Sequence, residues 1–111
     1  MSAIITTGDD VTIPVTLKKN GTVFNIGLNA QVKVAIIAAD RSKKLTNDIL
    51  CSPDSPGADW ANSLLMVEIP SSETVDMTVP SKGSVLLEIQ VDDGGKLTWT
   101  VPLKVMKGII D

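Results

Sequence analysis

Apolar residues recur at every second position through most of this chain. Val11, Ile13, Val15 and Leu17 alternate with Thr12, Pro14, Thr16 and Lys18. Val32, Val34, Ile36 and Ala38 alternate with Lys33 and Ala35. Leu65, Val67 and Ile69 follow, with Met66 and Glu68 on the opposite phase. The longest series runs Val85, Leu87, Ile89, Val91, then Leu97, Trp99, Val101, Leu103, Val105. A period of two turns one set of side chains to a core and the other to solvent, so each run predicts a β-strand.

The breaks between the runs are equally informative. Asp92-Asp93-Gly94-Gly95 joins the last two runs as a hairpin turn. Lys19-Asn20-Gly21 is a second turn signal, because Asn and Gly tolerate positive φ. Phe24 and Ile26 begin its return strand, which Gly27 breaks. The polar stretch from Asp40 to Asp48 predicts a loop or wide turn, and Ile49-Leu50-Cys51 a short strand. Ser52 to Asp59 contains Pro53, Pro56 and Gly57 and predicts a surface loop. Pro70 to Met77 alone has helical character, with Ser71 or Ser72 as the cap of a single turn. Pro14 and Pro102 fall on the polar phase of their strands; proline donates nothing to a ladder, so each is expected at a sheet edge or a bulge. Regular strands without a long helix predict one all-β domain over residues 1–111, an antiparallel β-sandwich of jelly-roll or immunoglobulin-like type.

Composition sharpens this picture. The 111 residues suit one domain. The only aromatics are Phe24, Trp60 and Trp99, so the core must be aliphatic, with Trp99 in it by phase. A net charge of −3 argues against a nucleic-acid partner, which needs a basic face. Arg41, Lys43 and Lys44 form the tightest basic cluster, either a solvated loop or a contact to an acidic surface. No run approaches the ~18 apolar residues of a membrane span. Met1-Ser2-Ala3-Ile4-Ile5 lacks the basic and apolar regions of a signal peptide. Synthesis in a cytoplasm is expected, with exit only by lysis or assembly.

The parts for catalysis are missing from the sequence. There is no His, so Ser-His-Asp and Cys-His arrangements are absent. Cys51 is the sole cysteine, which excludes an intramolecular disulfide and predicts a partly buried apolar residue. Zinc sites draw on several Cys or His ligands, and no phosphate-cradling glycine motif occurs. Asp92-Asp93 supplies too few oxygens for calcium. Glu68 and Glu88 are the pair a glycosidase geometry would need, yet both fall on solvent phases. No catalytic residue, metal or cofactor is predicted.

The remaining candidates are contact residues. Chain ends are poorly ordered unless tied down, so apolar ends need a reason. Segments 1–7 and 106–111 are expected as partner-binding arms, with Ile4, Ile5, Ile109 and Ile110 as the contacts and Met106 beside them. Trp60 follows the Pro-rich loop, where an aromatic either packs or anchors an interface.

Several short stretches carry a resemblance. They are Gly8-Asp9-Asp10 before a strand, the turn and return strand from Lys19 to Ile26, Ile69-Pro70-Ser71-Ser72-Glu73-Thr74, and Gly83 through Val91. Over roughly residues 8–105 the chain resembles the small immunoglobulin-like or jelly-roll modules of tailed-phage virions. In size and character it is most similar to the capsid decoration or staple proteins of epsilon15-type phages. The resemblance implies a non-enzymatic virion protein on the outer capsid surface that cements neighbouring subunits. Its partner would be the major capsid protein of an HK97-fold shell, and a homodimer is expected. The family defines no functional residue sharply, so none is carried over. A tail or baseplate docking module is the alternative; it is disfavoured by the lack of a fibre or coiled coil after residue 105. A carbohydrate-binding module is a further alternative, for which Trp60 is the one candidate platform.

Overall fold

The structure, a computed structural model, describes residues 3–27, 29–75, 77 and 83–106. It is all-β apart from short helical turns. The strands are β1 (Ala3–Thr6), β2 (Val11–Thr16), β3 (Lys18–Lys19), β4 (Thr22–Val23), β5 (Gln31–Ala38), β6 (Ile49–Cys51), β7 (Leu64–Ile69), β8 (Ser84–Asp92) and β9 (Lys96–Met106). A 3-10 turn covers Trp60–Asn62, and an α-helical turn, α1, covers Ser71–Thr74.

The strands form a five-stranded sheet in the order β1-β9-β8-β5-β6 and two ladders, β2-β7 and β3-β4. The predicted β8-β9 hairpin is present, with Ile89 opposite Trp99 and Asp92 opposite Lys96. Asp93, Gly94 and Gly95 close it as a three-residue loop in which Gly94 takes φ 78°. The Asn20-Gly21 turn joins β3 to β4 with φ 55° and 79°, the left-handed pair that such a tight hairpin needs. The return strand is shorter than predicted: only Thr22 and Val23 pair, and Phe24 to Gly27 follow as irregular chain.

One core joins the two larger ladders. Ile13, Val15, Leu65, Val67 and Ile69 from β2-β7 belong to the same buried cluster as Val34, Ile36, Val85, Leu87, Ile89 and Leu103 from the large sheet. Trp99 only flanks this cluster, half-buried rather than enclosed. It lies on the inward phase, but near the loop end of β9, where Phe24 covers it at a ring-centroid distance of 5.2 Å.

The expectation of a wholly antiparallel arrangement is corrected at one edge. β1 joins β9 in parallel, Ala3 beside Leu103 through Thr6 beside Met106. No hairpin links these strands, so nothing local forces them antiparallel; the rest of the chain serves as the crossover. Residues 3–6, expected within a partner-binding arm, are thus a paired edge strand. Pro14 is on β2, which pairs only with β7 among the described residues, as expected of an edge. Pro102 is instead on β9, inside the sheet between β1 and β8, opposite Leu86.

The α1 turn is capped differently from expectation. Pro70, in extended conformation, holds the cap position, and Ser71 N–H donates to Asp10 Oδ1 at 2.6 Å. The capping acceptor comes from a distant turn rather than from a serine beside the helix.

Candidate functional site

The in-register pairs assign every residue of the large sheet to a face. The inner face carries Ile5, Val32, Val34, Ile36, Val85, Leu87, Ile89, Val91, Leu103 and Val105, all buried. The outer face is mostly Thr, Gln and charged residues, crossed by one apolar row. In that row Ile37 is opposite Leu86, and Leu86 is opposite Pro102. Further apolar residues of this face lie toward the β1 edge: Ile4, beside Lys104, and Met106, beside Thr6. Ile4 is 57% and Met106 56% exposed. At the opposite edge of the same face Leu50, paired with Lys33, is 65% exposed. Lys33, Lys96 and Lys104 stand among Glu88 and Asp92 on this face, so it carries charge of both signs.

The predicted contact residues separate sharply. Ile4 is at the surface. Ile5, the next residue along the strand, has no exposure at all and belongs to the core, because neighbouring strand residues point to opposite faces. Trp60 is corrected in the same sense: only 3% of it is accessible, and it packs in the core cluster. Its backbone carbonyl accepts from Ile26 N–H and Ser63 N–H, and Asp59 and Leu64 bridge beside it, so the turn folds the indole inward. Ile109 and Ile110 lie outside the described residues.

The ionisable groups are scattered. Lys44 Nζ meets Asp48 Oδ1 at 2.6 Å on the exposed 40–48 loop, and this hydrogen bond lowers the Asp48 carboxyl below its usual range. Glu68 is opposite Thr12 in one ladder, whereas Glu88 is opposite Ala35 and Thr100 in another sheet. They are not cross-strand partners. Among the described residues no group of three His, Cys, Asp or Glu side chains could hold a metal ion, and no helix is long and apolar enough to cross a membrane.

Cys51 is half-buried at the β6 edge. Burial, with the Glu68 carboxylate second, pushes its thiol up to about 11 from an ordinary value of 9.0. At pH 8 it should therefore react with iodoacetamide far more slowly in the folded chain than in urea, where the thiolate is freely formed. The linkage has a sign. The unfolded thiol ionises first, so stability is unaffected below pH 9 and falls as pH rises from about 9 to 11. Cys51→Ala should flatten that fall in a series of urea titrations.

No protein-family model matches this sequence, and no curated protein is significantly similar to it. Sequence alternation missed Leu86 as a surface candidate because it lies between apolar neighbours. The signal was the break itself: Val85-Leu86-Leu87 is apolar on both phases, so one residue of the run must face outward, whereas Ile37, in the similar run Ile36-Ile37-Ala38, is bridged to Lys44 and buried.

Proposed function

We propose that this chain is a non-enzymatic virion protein that sits on the outside of an HK97-fold capsid and ties neighbouring subunits together. The observation that carries the reading is the outer face of the large sheet, where Ile4 and Met106 are exposed and half-buried Leu86 lies opposite exposed Pro102 on an otherwise polar surface. Exposed apolar side chains gathered on one face of a small domain favour a protein contact. The all-β fold around one core is compatible with the resembling phage modules of jelly-roll or immunoglobulin-like kind, with the parallel β1 as an added edge. In this reading many modest contacts repeat over a lattice, so that separating two subunits breaks several at once. A homodimer would double the number of contacts that each unit makes.

The test is co-sedimentation of the purified chain with undecorated phage heads. Saturable binding at a copy number matching a lattice axis is expected. The double variant Ile4→Asp, Met106→Asp should bind at least about tenfold more weakly while retaining its urea midpoint, since loss of two buried apolar contacts exceeds 1.4 kcal/mol. Absence of binding by the folded parent chain overturns the capsid reading. Capture of the chain by isolated tails would then favour the docking module.

A further inference from the structure

We propose that the cleft between residues 24–25 and the β8-β9 loop binds an uncharged sugar ring. The cleft has a volume of about 500 Å³ and is lined by Phe24, Asn25, Val91, Asp93, Lys96 and Leu97, with the backbone of Gly94 and Gly95. That size suits a small ligand rather than a protein segment. Half-buried Phe24 and Leu97 supply an apolar floor, with buried Val91 behind them. Asn25, Asp93 and Lys96 supply an amide, an acceptor and a donor at the rim. A pyranose has matching parts: a face of C–H groups and a circumference of hydroxyls. Asp93 and Lys96 bring one charge of each sign to the rim, which suits neither a pure anion nor a pure cation.

Two contacts fix this geometry before any ligand arrives. Trp99 Nε1 donates to the Lys18 carbonyl at 2.9 Å, and the indole so held packs against Phe24 at 5.2 Å with the rings tilted by 54°. The aromatic wall is thereby pinned between two hairpins. On the other side, Asp93 is lodged against Gly27. A Cβ added at Gly27 would lie 2.8 Å from Asp93 Oδ2, so the missing side chain makes room for the carboxylate. The β3-β4 hairpin and the β8-β9 loop, far apart in sequence, thus each contribute a positioned wall. Trp60, the platform expected from sequence, takes no part because it is buried. The proposal is independent of capsid binding.

The experiment is a titration of the full-length, isotope-labelled chain with the methyl glycosides of glucose, galactose and N-acetylglucosamine, read by amide and indole N–H resonances. Methyl glucuronide is the charged control. Saturable shifts are expected at Gly94, Gly95, Lys96 and the Trp99 indole, with affinity on the order of 1 mM. Asp93→Ala and Asn25→Ala replace exposed residues and should keep the parent spectrum elsewhere. Each should weaken binding about tenfold, the effect of one lost hydrogen bond. No shift with any neutral glycoside, a stronger response to the glucuronide, or unchanged affinity in both variants overturns the proposal.

Discussion

Leu87→Ala costs this protein about 2–5 kcal/mol of stability, a large share of the roughly 5–15 kcal/mol by which small domains are folded. Leu87 is fully buried in β8, between Ile36 on β5 and Val101 on β9. Both neighbours are held by ladders on their own strands, so the sheet cannot close over the space that the truncated side chain leaves. The urea midpoint should fall with little change in slope, because the surface exposed on unfolding is nearly the same. Leu86→Ala provides the control. It removes the same atoms one position away, from the outer face, and costs about 1 kcal/mol or less. Equal losses at the two positions would mean that the face assignment is wrong. Near-parent stability for Leu87→Ala would mean that the core is not built around β8.

Thr74→Val should cost about 1–3 kcal/mol, although it preserves side-chain shape. The Thr74 hydroxyl is fully buried, accepts from Gly8 N–H at 3.1 Å and donates to the Asp9 carbonyl at 2.9 Å. These bonds hold the α1 turn to the turn that leaves β1. Asp10 strengthens the same junction through Ser71 N–H. Valine leaves both backbone groups without their partner in a place that excludes water. Thr74→Ser keeps the hydroxyl and should lose only about 1 kcal/mol, for the methyl group. Amide exchange gives an independent reading: Gly8 should lose protection in Thr74→Val and retain it in Thr74→Ser. Parent-like exchange at Gly8 in the valine variant would show that this bond does not hold the junction.

Alternation made most of the strands legible because it is a local property with a local cause. The β8-β9 hairpin could be read in full, since two alternating runs and a Gly-containing turn all agreed. The Asn20-Gly21 turn was legible for the same reason. The parallel place of β1 was not. Residues 3–6 carry no mark of a partner a whole chain away, and an apolar terminal segment looks the same whether it pairs or reaches outward. Trp60 shows a second limit. The composition of the preceding loop suggests a surface, but the fate of the indole depends on a left-handed turn at Ser63, φ 67°, that a serine does not announce. The cleft by Phe24 was illegible as well, because Phe24 and Asp93 meet only after two hairpins have come together.

The pairing of Ala3 with Leu103 sets a schedule for folding. The hairpins β3-β4 and β8-β9 can each form as soon as their own residues are present. The first strand has to stay unseated until β9 exists, a loop closure of 100 residues and among the most remote contacts in the fold. During that wait Ile5, destined for full enclosure, is exposed to water and to other nascent chains. The last step of folding is then the docking of the first strand. Until it happens, β9 presents a bare edge on which a neighbouring chain's β1 could settle in its place, and an exchange of first strands between two copies is the misassembly this topology invites.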